Sequence, residues 1–167
     1  GTTKTSLAVK KARLIFSSLD SKQTFASEQT KTWTLENSQI SVINKANVFA
    51  REKLDIGARV FIANLPEQLN DKNIIDLGCG NGVLGLSVLK NNPNAHIHFI
   101  DESYMAVASA KANVERNFPN SVKNCQFSVN DCLTDVEPES IDLILCNPPF
   151  HQQNAVTDHI AWQMFKD

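Results

Sequence analysis

The segment Asp76-Leu77-Gly78-Cys79-Gly80-Asn81-Gly82 constrains the fold of this chain more than any other. It follows a short apolar run (73–77) and precedes a helical pattern (83–90), so three alternate glycines stand where a strand becomes a helix. Glycine permits the sharp turn and lets a ligand come against the main chain. The free N–H groups of the new helix face the same spot. Short apolar segments recur at 95–100, 126–129 and 141–146, and a second helical pattern at 103–118 puts Val107, Ala110, Val114 and Phe118 on one face. Strands alternating with such helices predict right-handed βαβ units and a doubly wound, mostly parallel α/β sheet. Ligands of these sheets bind beyond the carboxyl ends of the strands.

The first 45 residues read differently. Strands are expected at 13–16, 32–35 and 40–43, the last two flanking the turn-rich Glu36-Asn37-Ser38-Gln39 as a hairpin. Asp55 is placed to cap a helix running towards Leu65, with Pro66 as its stop. The expected organisation is a small β-rich leader, 1–45, followed by an α/β domain, 46–167. A chain of 167 residues, 42% hydrophobic and 20% charged, can bury one core and excludes a disordered polymer. Its apolar runs are too short to span a bilayer. The four cysteines show no paired C-x-x-C spacing, which fits reduced thiols and a cytoplasmic setting. Residues 1–60 carry ten Lys/Arg against five Asp/Glu, and residues 61–167 carry six against thirteen. A basic leader on an acidic domain fits a nucleic-acid footprint or simply a solvated face.

The polar residues at the expected strand ends carry the chemistry. Gly80-Asn81-Gly82-Val83-Leu84-Gly85 satisfies G-x-G-x-x-G, which in dinucleotide sites places pyrophosphate at a helix start. Asp76 opposes that reading, because a carboxylate there repels pyrophosphate and suits a cation. An amino-acid ammonium beside a sulfonium fits, which moves the balance towards S-adenosylmethionine. Asp101, ending the second strand, can accept both hydroxyls of a ribose. Asn130 and Asp131 follow the third strand, where they meet an adenine edge or form a solvated turn. The fourth strand ends in Asn147-Pro148-Pro149-Phe150. In isolation that is a turn. At the fourth end of this sheet, the Asn147 side-chain oxygen and the Pro148 carbonyl can accept from one exocyclic NH2, and Phe150 can stack on its ring for about 1–3 kcal/mol. His96 and His98 lack a third ligand, so no metal is expected. Cys79 and Cys146 lack a base partner and read as small packing residues.

Taken together, the glycine loop with Asp76, Asp101 and Asn147-Pro148-Pro149-Phe150 resemble the class I S-adenosylmethionine-dependent methyltransferases that act on amines. Three longer strings, from Ala46 to Arg59, from Asp101 to Ala110 and from Cys146 to Gln153, resemble the RlmG/RsmC-type ribosomal RNA guanine-N2 methyltransferases. His151-Gln152-Gln153 and the string from Asp158 to Phe165 are most similar to their large-subunit branch. The resemblance implies a Rossmann-like methyltransferase sheet and methyl transfer to the N2 amine of a guanine in large-subunit ribosomal RNA, with no obligate protein partner. It puts Asp76, Gly78, Gly80 and Gly82 around the methionine part of the cofactor, Asp101 on the ribose, and Asn147, Pro148 and Phe150 on the target base. Residues 49–57 are expected over the cofactor. The family carries a further domain before this one and three more strands after the fourth. The resemblance therefore implies an incomplete domain, truncated after the fourth strand and inactive or nearly so by itself. Adenine N6, cytosine N4 and a protein glutamine remain alternative amines, and a non-catalytic cofactor- or RNA-binding module is the alternative outside the enzymes.

Overall fold

Two antiparallel hairpins of similar size begin the computed structural model, which describes residues 2–9, 12–18, 20, 22, 29–148, 162 and 164. The first pairs β1 (Thr3–Thr5) with β2 (Ile15–Ser17), and the second pairs β3 (Lys31–Thr34) with β4 (Ser41–Asn44). Helix α1 (Ile56–Ala63) follows, and then β5 (Asn73–Leu77), α2 (Val83–Asn91), β6 (His96–Asp101), α3 (Tyr104–Asn117), a 3-10 turn (Pro119–Asn124), β7 (Cys125–Val129) and β8 (Leu143–Cys146). The last four strands form one parallel sheet in the order β7-β6-β5-β8. The order reverses direction between β6-β5 and β5-β8, which opens a crevice at the carboxyl ends of β5 and β8. The doubly wound α/β architecture is the observed one.

Burial explains the arrangement. Ile74, Ile75, Asp76 and Leu77 are all buried, as in a central parallel strand covered on both faces. Residues 83–89 of α2 are buried too, so this helix has no solvent face over that stretch. It approaches the sheet closely at Gly85, where a Cβ would lie 2.3 and 2.5 Å from ring carbons of Phe99. Phe99 in turn stacks on Phe127 of the next strand, with centroids 5.1 Å apart. One large core joins β4, α1, α2, α3 and this face of the sheet. A smaller cluster on the other face gathers Ile75, Leu77, Ile100 and Met164.

Several element boundaries moved for local reasons. Strand β8 begins at Leu143, two residues later than the apolar run suggests. Asp142 is occupied before it, its carboxylate accepting from Asn73 N at 2.8 Å and Lys72 Nζ at 3.0 Å. These two donors hold its carboxyl below the ordinary range. Helix α1 ends at Ala63, where Asn64 turns its own amide back to the Val60 carbonyl. Its start is as expected, with the Asp55 carboxylate accepting from Ala58 N. Strand β1 went unread, because Thr3, Lys4 and Thr5 are all polar and exposed. Met164 is helical and buried, whereas Val156 and Ile160 lie outside the described residues.

The second hairpin is bound to α3 through side chains. Ser109, Asn113 and Asn117 lie four residues apart on one helix face and meet every second residue of β4 and its continuation. Ser109 Oγ accepts from Lys45 N at 3.0 Å. The amides of Asn113 and Asn117 each accept from and donate to one backbone unit, Ile43 and Ser41 respectively. Side chains thus satisfy the free edge of β4 where a third strand would otherwise do so.

Candidate functional site

A cavity of about 440 Å3 opens at the carboxyl ends of β5, β6 and β8, a volume in the range of small-molecule sites. The glycine loop forms its floor. Gly78, Gly80 and Gly82 all have positive φ, but for different uses. A Cβ on Gly80 would meet nothing within 4 Å, so this backbone faces open space that a ligand can occupy. A Cβ on Gly82 would lie 3.0 Å from Ala110 Cβ and 3.3 Å from Phe99. Gly82 is buried and does not line the cavity. It packs against α3, while Gly78 and Gly80 border the cavity. Gly85, the last glycine of G-x-G-x-x-G, packs against Phe99, as the last glycine of that pattern also does in dinucleotide sites.

Two carboxylates hold the loop. Asp76 is 1% exposed and accepts from Gly85 N at 2.9 Å through Oδ2. Burial raises its pKa to about 7, against the pull of the Gly85 N–H, and the neighbouring charge of Asp101 adds to the rise. No ion pair to Asp76 exists among the described residues, so a cation arriving in the cavity gains a buried partner. Asp101 is half-buried, with Oδ2 accepting from Gly80 N and Oδ1 from Ser103 N, each at 2.9 Å. Each oxygen keeps a further lone pair for a hydroxyl. The Gly80 bond also ties the loop to the end of the neighbouring strand.

Asn81 extends this bracing away from the sheet. Its Oδ1 accepts from Val83 N at the start of α2, and its Nδ2 donates to Asn44 Oδ1 at 2.8 Å. Asn113 Nδ2 donates to the Asn81 carbonyl at 2.9 Å. The amide ladder that binds the hairpin therefore ends in the glycine loop. Sequence reasoning missed this ladder. Its signal was available in three small polar side chains at four-residue spacing on a helix whose next stripe is apolar.

The remaining wall comes from β8 and the stretch before α1. Asn147 lines the cavity and donates from Nδ2 to Asp55 Oδ2 at 3.2 Å. Phe49, Leu54 and Asp55 line it from the 49–57 stretch, with Val48 just before them, and Phe49 is 64% exposed. Asn130 and Asp131 are present at the β7 end, where the Asn130 side chain caps Asp131 N. Pro148 is buried and is not among the lining residues, while Phe150 and His151 lie outside the described residues. Burial raises the Cys79 thiol well above its ordinary range and the Cys146 thiol to about 11, which leaves neither as a ready nucleophile. His98 bonds Ser128 Oγ at 2.6 Å on the open side of the sheet, away from this cavity.

The model of the methyltransferase small domain matches residues 39–167. The chain belongs to the methyltransferase small domain family. Over its whole length it is 58% identical to the ribosomal RNA large subunit methyltransferase G of Colwellia psychrerythraea and 56% identical to that of Klebsiella pneumoniae (MGH 78578). It spans 45% and 44% of those proteins, so under half the length of these curated relatives. The 16S rRNA N2 G1207 methyltransferase RsmC of T. thermophilus, solved with AdoMet and guanosine, shares the fold at a TM-score of 0.77 and 20% identity. That match covers 98% of this chain and 45% of the other. The methyltransferase small domain match starts at residue 39, inside the second hairpin, whose Leu35, Ile40 and Val42 belong to the large core.

Proposed function

We propose that this chain forms the cofactor and acceptor site of an enzyme that methylates the exocyclic N2 amine of a guanine in large-subunit ribosomal RNA, in the cytoplasm. One observation carries the reading. Asn147 opens onto the same cavity as Asp76 and Asp101, and the bond from its Nδ2 to Asp55 orients the amide so that Oδ1 is the end available as an acceptor. The 58% identical large-subunit methyltransferase relative supports the choice of ribosomal RNA, and the guanosine in the RsmC complex supports the base.

The residues present fit S-adenosylmethionine. Open space at Gly80, the buried Asp76 carboxylate and the free lone pairs of Asp101 suit a backbone contact, an ammonium and a ribose respectively. When bound, this cofactor supplies a methyl group activated by its sulfonium. Asp76 pairs with the ammonium and is held ionised by it. Asp101 accepts the ribose hydroxyls, and Asn130 and Asp131 border the adenine edge. The loop residues Gly78 and Gly80 border the methionine part.

At the other wall, Asn147 Oδ1 would accept from an N–H bond of the target amine, and the resemblance assigns the second N–H to the carbonyl of Pro148, a buried residue next to the lining. Those bonds would orient the lone pair of the amine. Fixed acceptors would also stabilise positive charge that develops on the nitrogen as it takes up the methyl group the cofactor supplies. The methylated amine then loses its proton to solvent. The resemblance assigns stacking on the guanine ring to Phe150, which lies outside the described residues, and the ring must leave any helix it belongs to. A dinucleotide oxidoreductase is disfavoured by Asp76 and by Asn147-Pro148-Pro149-Phe150 at the fourth strand end.

The test is nucleoside analysis. The complete protein, S-adenosylmethionine with an isotopic methyl and protein-free large-subunit RNA should yield labelled N2-methylguanosine by mass spectrometry. Labelled N6-methyladenosine or N4-methylcytidine would replace guanine as the target.

A further inference from the structure

Asparagine is an ambiguous ligand for an amine. Its amide presents a donor and an acceptor of nearly the same shape, and a flip of the side chain exchanges them. In the flipped state Asn147 would present N–H to the N–H of the substrate, and the acceptor role would be lost. Something must decide the orientation.

Three observations converge on Asp55. Its Oδ2 accepts from Asn147 Nδ2 at 3.2 Å, across 92 residues of sequence. The same oxygen accepts from Ala58 N at 3.1 Å as the N-cap of α1, which fixes the carboxylate on a rigid element. Finally, the backbone of Gly57 leaves room for the pair, since a Cβ there would lie 2.8 Å from Asn147 Oδ1 and 2.9 Å from Asp55 Oδ2. An ionised carboxylate accepts only, so it can bind the Nδ2 end of the amide but not the Oδ1 end.

We infer that Asp55 is a positioning residue for methyl transfer: it holds Asn147 with its carbonyl oxygen free for the target amine, and Gly57 is the side-chain-free position that lets the two meet. The inference rests on the acceptor role proposed above for Asn147. Asp55 and Gly57 act through Asn147, without contact to the methyl group.

The experiment is a double-mutant cycle in the complete protein. Asp55→Ser keeps a helix cap for Ala58 N but is too short to reach Asn147. Asp55→Asn keeps an oxygen that can accept from both. With Asp55→Ser, kcat should fall by about 10-fold or more, while the KM for S-adenosylmethionine and the melting temperature stay close to wild type. Asp55→Asn should recover most of kcat. In an Asn147→Ala background, Asp55→Ser should have no further effect on kcat.

Wild-type kcat in Asp55→Ser, with Asn147→Ala impaired, would overturn the positioning role and leave the acceptor role standing. A cofactor KM raised in Asp55→Ser at unchanged kcat would move Asp55 to the cofactor. Multiplicative losses in the double mutant would make its effect independent of Asn147. Full turnover in Asn147→Ala would remove the acceptor role, and this inference with it.

Discussion

The two walls of the cavity are built by different means. On the cofactor side, Asp76 and Asp101 accept backbone N–H groups from within a stretch of 28 residues, and the loop between them is clamped to β6 and α2. On the acceptor side, Asn147 leaves β8 and is held by Asp55, 92 residues earlier in the chain. The first wall is local and fixed by the main chain. The second depends on a long-range contact between side chains. Damage to the first should appear in binding and stability, and damage to the second in turnover.

Removing the acceptor gives the largest separation. Asn147→Ala in the complete protein should lower kcat for methyl transfer by about 100-fold or more, the loss seen when a preorganised partner of developing charge is removed. The dissociation constant for S-adenosylmethionine, measured by calorimetry, should change by less than about twofold. Parallel losses in both would show that the walls are not separable.

Next comes the support behind the loop. Asn113→Ala removes bonds to both backbone groups of Ile43 and to the Asn81 carbonyl, leaving buried groups unpaired. A loss of about 2–3 kcal/mol in unfolding free energy is expected from urea titration, together with weaker cofactor binding. A stability within about 0.5 kcal/mol of wild type would mean that water replaces the ladder.

The smallest effect concerns charge, and its sign is distinctive. The folded-state pKa of Asp76 lies above its unfolded value, so the folded state binds the extra proton. Its contribution to stability is therefore present below about pH 4 and is lost as pH rises to about 7. Asp76→Asn, which keeps an acceptor for Gly85 N, should match wild type in melting temperature near pH 4 and exceed it at pH 8. Cofactor binding runs the opposite way, since the ammonium needs an ionised Asp76. Affinity in the wild type should weaken as pH falls below about 7, and the variant should bind more weakly and lack that acid limb, keeping only the loss at alkaline pH as the cofactor's own amine deprotonates. A wild type without that acid limb would mean that Asp76 does not face the ammonium.

This comparison also explains what could be read from sequence. The glycine loop, α2, the parallel strands and the Asp55 cap were legible because each is encoded within a few consecutive residues. The packing of Gly82 on Ala110 was not legible, because a left-handed glycine facing a ligand and one facing a helix look identical in one dimension. The Asp55–Asn147 contact and the Asn44–Asn81–Asn113–Asn117 ladder were invisible for another reason. Each partner has a sufficient local role, as cap, turn or polar helix position, and only the fold brings them together.

The most direct test of the two-walled site is a crystal structure of the complete protein with S-adenosylmethionine. The account predicts the ammonium within about 3 Å of Asp76, the ribose hydroxyls on Asp101 and the sulfonium methyl directed at Asn147. A cofactor bound in reverse, with its adenine against Asn147 and its amino group away from Asp76, would contradict it.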